Sequence, residues 1–97
     1  MSAADTAAAA PEPVRKQILF YLSDANTRSG FMRKELEAGS GSLPVSTVAA
    51  FTKMQDFARE HGAEPGAVQA QAEAWVKHVA RAHPDLLALS DDGLRVG

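Results

Sequence analysis

The segment spanning residues 67–82 places the strongest constraint on the fold. Its apolar residues recur at helical spacing, and Pro84 ends the pattern. One face of the predicted helix carries Val68, Ala72, Trp75, Val76 and Val79. Such a helix is stable only when its apolar face packs against other elements. The chain of 97 residues is long enough for one core and too short for two, so its other elements have to cover this helix.

A β-hairpin is predicted after this helix. Residues 87–89 and 94–96 alternate apolar with small or polar side chains, and residues 90–93 separate them. The pair Asp92-Gly93 supplies the positive φ angles that hairpin turns require.

Two short helices are predicted in the N-terminal half. The first begins near Pro13, because the N–H that proline lacks would have no partner at the first helical position. Its inward stripe consists of Val14, Ile18 and Leu22. It is expected to end within residues 23–26, which favour caps and turns. Residues 31–36, between glycines, predict the second helix.

An edge strand and a third helix are predicted next. Residues 43–45 are apolar, and an edge strand tolerates Pro44 because that position needs no N–H. Ser46 is expected to cap a helix over residues 47–57. Residues 61–66 contain glycine and proline and interrupt that helix.

Helix, helix, short strand, helix, helix and hairpin is the element order of a winged-helix domain. We therefore expect an α+β fold over residues 13–97, a winged helix-turn-helix with inserted N-terminal helices and a small antiparallel sheet or wing. Residues 1–12 are expected to form a disordered, alanine-rich leader, which lacks the basic start and leucine-rich run of a signal peptide. No apolar stretch approaches the length that spans a bilayer, so no membrane partner is expected.

Composition excludes several kinds of site. The chain has no cysteine, which rules out disulfides, a thiolate nucleophile and a cysteine zinc site. Its three histidines lack paired-ligand spacing, so neither a metal nor another cofactor is expected. No triad or carboxylate pair suggests an enzyme. The formal net charge of -2 means that clustered cations do not drive nucleic-acid binding.

The first helix carries a second stripe at i, i+3, i+4 and i+7, formed by Gln17, Phe20, Tyr21 and Asp24. A core stripe rarely carries both an amide and a carboxylate, and a solvated stripe rarely carries two adjacent rings. Rings stack on bases, and polar groups bond their edges or the ribose hydroxyls. The stripe therefore indicates a pocket for a flat heterocycle.

Two N-terminal segments, VRKQILFYLSDAN at residues 14–26 and FMRK at residues 31–34, resemble the signature of the La motif of La and La-related proteins. Residues 43–51 resemble that family's strand and following helix, and residues 89–96 resemble its wing. The link over residues 54–67 is longer than is usual in the family, which suggests a divergent La-related member.

The resemblance implies a non-enzymatic module that binds a short single-stranded 3′ RNA segment, rich in uridine or, in a divergent member, in adenosine. It implies a cleft in which Gln17 bonds a base edge, Tyr21 and Phe31 stack on bases, Phe20 and Phe51 line the walls, and Asp24 bonds ribose or base. Ser29 stands where the family has a carboxylate that binds the terminal ribose hydroxyls. Phosphate contacts are expected from Lys16, Arg28, Arg33, Lys34 and Lys53.

Other interpretations stay open at this point. Trp75 and Phe57 are expected to be core residues, and Phe20 and Tyr21 alone are also compatible with ordinary packing. One alternative function is duplex-DNA binding through residues 46–54, although Lys53 is the only cation there. Another is a protein-interaction domain that has lost its RNA pocket. The family resemblance implies a monomer in the nucleus or cytoplasm, cut from a longer protein with a following RNA-recognition domain.

Overall fold

A computed structural model describes residues 10–23, 26 and 30–97, and the described chain is α+β. It is mostly helical, with one small antiparallel sheet. The elements are α1 (Glu12–Tyr21), α2 (Gly30–Ala38), β1 (Leu43–Pro44), α3 (Val45–Ala49), α4 (Thr52–Glu60), a 3-10 helix (Pro65–Ala67), α5 (Val68–Ala82) and β2 (Arg95–Val96). Of the predicted leader, residues 1–9 lie outside the described part. No helix among the described residues has the length and apolar character needed to cross a membrane.

Helix α5 is the centre of the core. It packs against α1, α3 and α4, and all five residues of its predicted apolar face are buried. The covering residues are Val14 and Ile18 of α1, Val48 and Ala49 of α3, and Met54 and Ala58 of α4. Trp75 is buried, as predicted, and Phe57 packs against the core while remaining partly exposed. The periodicity of α5 thus identified the core correctly.

The predicted helix over residues 47–57 is wrong, because the chain forms two helices here. Helix α3 ends at Ala49, and Phe51 takes an extended conformation (φ -61°, ψ 142°) before α4 begins. The predicted cap is also wrong: Ser46 lies inside α3, and Pro44 occupies the N-cap position without a side-chain hydrogen bond.

A pair of glutamines stabilises this break. The Gln55 Nε2 donates to the Ala49 carbonyl (2.8 Å) and to the Gln69 Oε1 (2.9 Å), and the Gln69 Nε2 donates to the Ser46 carbonyl (3.1 Å). The end of a helix leaves carbonyl groups without helical partners, and here Gln55 bonds the Ala49 carbonyl. The Ser46 carbonyl already accepts from the Ala50 N–H (3.0 Å), and Gln69 adds a second bond to it. These contacts join residues far apart in sequence, which is why helical periodicity did not reveal the break.

The predicted C-terminal hairpin is present in a shortened form, because residues 87–89 form no strand and Leu89 pairs with Val96 in an isolated bridge. Ala88 and Gly97 exchange both backbone hydrogen bonds (2.8 and 2.9 Å). The turn closes through the Gly93 N–H, which donates to the Ser90 carbonyl (2.9 Å), and Gly93 has the positive φ that was expected (74°). On its other side β2 pairs with β1 in antiparallel register, with Leu43 opposite Val96. The hairpin is thereby fixed to the rest of the domain.

Helix α2 ends on a left-handed residue that is not glycine. Ser40 has φ 56°, and the Gly41 N–H donates to the Leu36 carbonyl (2.7 Å) in a Schellman-type ending. Replacing Ser40 by glycine is expected to raise the free energy of unfolding by about 0.5–1 kcal/mol. Glycine avoids the steric cost of the left-handed conformation, and this gain exceeds the additional backbone entropy that glycine loses on folding.

Urea denaturation measures this effect. The matched control is Ser46→Gly, which lies in right-handed helix and is expected to lower the free energy of unfolding by about 0.5 kcal/mol. A Ser40→Gly variant that is less stable than the unaltered chain would contradict the prediction.

Candidate nucleic-acid interface

Four aromatic side chains meet at one surface, and we call them the aromatic cluster: Phe20, Tyr21, Phe31 and Phe51. The rings of Tyr21 and Phe51 meet edge to face with centroids 4.7 Å apart. Phe51 also meets Phe31 edge to face at 5.9 Å, and Phe20 lies 6.5 Å from Tyr21. The contacts therefore run from α1 through the α3–α4 junction to α2.

The inner and outer rings of the cluster differ in exposure. Tyr21 and Phe51 are partly buried and pack against the core. Phe20 and Phe31 are 54% and 53% exposed. Large rings bury readily, so two rings of one cluster held at this exposure form a surface suited to a ligand. The inner rings hold the cluster to the domain, and the outer rings offer surface to solvent.

The break between α3 and α4 sets the position of Phe51. Its backbone is extended, and its carbonyl accepts a hydrogen bond from the Gln55 N–H (3.0 Å) at the start of α4. The ring thereby contacts both Tyr21 and Phe31. The local conformation that sequence periodicity missed is therefore the one that completes the cluster.

Gln17 lies one helical turn before Tyr21, and its amide is close enough to the Tyr21 hydroxyl to influence its pKa. Burial raises the pKa of the Tyr21 hydroxyl, and the Gln17 amide offsets part of that rise. The phenol is consequently neutral near pH 7 and can both donate and accept hydrogen bonds. An amide and a neutral hydroxyl therefore lie beside the rings.

Side chains near the end of α1 fix its last turn. The Asn26 Nδ2 donates to the Tyr21 carbonyl (2.8 Å), and the Ser23 Oγ donates to the Phe20 carbonyl (2.7 Å). Both acceptors belong to residues of the aromatic cluster. Asn26 was expected at the helix end, but its hydrogen bond to the Tyr21 carbonyl was not predicted. Asn is a common turn residue that bonds nearby backbone, and that tendency was the available signal.

Two of the expected phosphate contacts, Arg33 and Lys53, have carboxylates near them. Arg33 is exposed and forms an ion pair with Glu37 (2.8 Å). Lys53 lines a shallow pocket of about 150 Å³ that also includes Asp56 and Glu60. Lys16 and Lys34 are exposed on α1 and α2. The described surface around the rings is therefore not strongly positive.

The remaining predicted site residues, Asp24, Arg28 and Ser29, lie outside the described residues. Within the described part, no group of three histidine, aspartate or glutamate side chains could hold a metal ion. The structure brings together Gln17 and all four rings of the cluster. Comparison with protein families, with characterised proteins and with solved structures finds no match to this chain.

Proposed function

We propose that this chain is a La-type winged-helix module that binds a short single-stranded RNA by stacking bases on the aromatic cluster. The observation that carries the proposal is the convergence of four rings from three segments, two of them more than half exposed. Aromatic stacking on successive bases contributes about 1–3 kcal/mol per base. Two bases stacked in this way provide useful affinity without a basic surface.

The arrangement of the rings supports a site for two bases. Phe20 and Phe31 stand at opposite ends of the series of ring contacts, with Tyr21 and Phe51 between them. Bases that stack on the outer rings do not require the inner pair to separate. Gln17 and the Tyr21 hydroxyl lie within the same surface and offer hydrogen bonds to a base edge.

The proposed La-type character also bears on how the domain recognises the 3′ hydroxyl of the RNA. Ser29 replaces the carboxylate that grips the terminal ribose in the family the sequence resembles. A serine hydroxyl is a weaker acceptor than a carboxylate. We therefore propose that the domain prefers single strands and discriminates only weakly between a free and a blocked 3′ hydroxyl.

Fluorescence anisotropy with labelled oligoU and oligoA, each carrying a 3′ hydroxyl or a 3′ phosphate, tests these proposals. Blocking the 3′ end is expected to change affinity by no more than about fivefold, since one neutral hydrogen bond contributes about 1 kcal/mol. Log Kd plotted against log salt concentration is expected to have a slope of only about 1–2, because few phosphates are neutralised.

Two outcomes count against the proposal. If none of the single-stranded oligonucleotides binds at low salt, the proposed RNA-binding function is excluded. Tighter binding of a duplex DNA than of either RNA, with a steep salt dependence, assigns the chain to the duplex-DNA class instead.

A further inference from the structure

A second concave surface lies between the C-terminal hairpin and helices α3 and α5, and we call it the hairpin groove. It has a volume of about 340 Å³. Its lining consists of Pro44, Val45, Ser46, Glu73, Asp92, Leu94 and Arg95. None of these residues belongs to the aromatic cluster.

An exposed leucine stands in this groove on a fixed backbone. Leu94 is 60% exposed. Its N–H donates to the Asp92 Oδ1 (3.0 Å), and its carbonyl accepts from the Val45 N–H (2.8 Å). Because both backbone groups are bonded, the backbone that carries this exposed side chain is fixed before any ligand arrives. Preorganised apolar surface of this kind lowers the entropy cost of binding.

Two carboxylates border the same apolar surface. The Ser90 hydroxyl and the Leu94 N–H hold the pKa of Asp92 below its ordinary value, so this carboxylate is charged at neutral pH. Glu73 forms no ion pair within 4 Å in the part of the chain described here. Lys77, one turn further along α5, lies instead against Gly93, with its Cε 3.8 Å from the position that a Cβ would take there.

The one cation in the groove is already engaged. The Arg95 Nε donates to the Ser42 Oγ (3.0 Å), and a terminal nitrogen of its guanidinium donates to the Ser42 carbonyl (2.9 Å). The guanidinium therefore points to the loop after α2, while Glu73 and Asp92 leave the groove with a net negative lining. This charge opposes nucleic-acid phosphates and favours cationic side chains.

We infer that the hairpin groove binds a basic peptide segment of a partner protein, in which one or two branched apolar residues are flanked by lysine or arginine. The apolar side chain packs against Leu94 and Pro44. The flanking cations face Glu73 and Asp92. This site is separate from the aromatic cluster and does not depend on RNA binding.

A titration of the ¹⁵N-labelled chain with the peptide acetyl-KRLVRK-amide, followed by amide chemical shifts, tests the inference. Saturable shifts centred on Val45, Glu73 and Leu94 are expected, with a dissociation constant on the order of 1 mM. Two control peptides, acetyl-KRGGRK-amide and acetyl-EDLVDE-amide, lack the apolar residues or the positive charge. Neither is expected to produce saturable shifts.

Variants of two groove residues and one control residue complete the test. Leu94→Ser is expected to abolish saturation, and Glu73→Gln is expected to weaken binding about two- to fivefold, as for one exposed ion pair. Glu64→Gln, at an exposed carboxylate outside the groove, is the matched control and is expected to leave affinity unchanged. No saturation with acetyl-KRLVRK-amide, equal shifts from the control peptides, or shifts centred on the aromatic cluster would overturn the inference.

Discussion

Replacing Tyr21 by alanine is expected to weaken the binding of a short single-stranded RNA by about 1–3 kcal/mol, or roughly 5- to 150-fold in Kd. Tyr21 is the ring that contacts both Phe20 and Phe51. Its loss removes the support between Phe20, the outer ring of α1, and the rest of the cluster, so the base that stacks on Phe20 loses its stacking surface. Anisotropy with labelled oligoU and oligoA measures the change.

Two further variants test the contributions one at a time. One removes only the Tyr21 hydroxyl, and the other removes an exposed ring with little effect on the stability of the domain. Tyr21→Phe keeps the ring and is expected to bind RNA within about fivefold of the unaltered chain, since it loses about one neutral hydrogen bond. Phe31 is more than half exposed, so Phe31→Ala is expected to cost little folding stability while weakening RNA binding. If Tyr21→Ala and Phe31→Ala both bind RNA as tightly as the unaltered chain, the aromatic cluster is not the RNA site.

Such a result would favour the alternative function, a protein-interaction domain that does not bind RNA. The hairpin groove offers an independent readout in that case, because its lining shares no residue with the cluster. Peptide binding without RNA binding would favour the protein-interaction class. RNA binding lost in Tyr21→Ala, with peptide binding retained, would show two separate surfaces on one domain.

Regular periodicity explains which parts of the fold were predictable. The stripe on α5 identified a buried face, because a helix with one apolar face has few other ways to pack. On α1 the predicted stripe is buried at Val14 and Ile18, whereas Leu22 follows the end of the helix and is only partly buried. The Asp92-Gly93 pair located the hairpin turn for a local reason, since glycine adopts positive φ at no steric cost. These are signals carried by residues close together in sequence.

The candidate site was predictable only in part. Helical spacing placed Gln17, Phe20 and Tyr21 on one face of α1, and in the structure both Gln17 and Phe20 lie close to Tyr21. Phe31 and Phe51 entered only through the family resemblance, because nothing in their own segments indicates contact with α1. Their meeting depends on the break after Ala49, which the bonds of Gln55 and Gln69 stabilise across the fold.

Gly39 shows a close approach that the sequence does not reveal. A methyl group on its Cα would overlap the Ser42 carbonyl oxygen and the Arg95 guanidinium. The Ser42 Oγ donates to the Gly39 carbonyl (3.2 Å), and Ser42 in turn accepts both hydrogen bonds from Arg95. Glycine is therefore required here by space, since its φ is not positive. The contact fixes the loop after α2 to β2.

The substitution Gly39→Ala is accordingly expected to lower the free energy of unfolding by about 1–3 kcal/mol, because the added methyl group forces the Ser42 backbone or the Arg95 side chain to move. Urea denaturation measures the loss. Gly66→Ala is the matched control: its Cβ would meet open space, and its expected effect is within about 0.5 kcal/mol. Equal stability of the two variants would show that the loop yields without cost. The RNA affinity of the folded Gly39→Ala variant is expected to stay unchanged, because Gly39 follows the C-terminal end of α2, whereas Phe31 lies at its N-terminal end. A variant that is less stable but binds RNA with unchanged affinity would show that Gly39 stabilises the fold without contributing to RNA binding at the aromatic cluster.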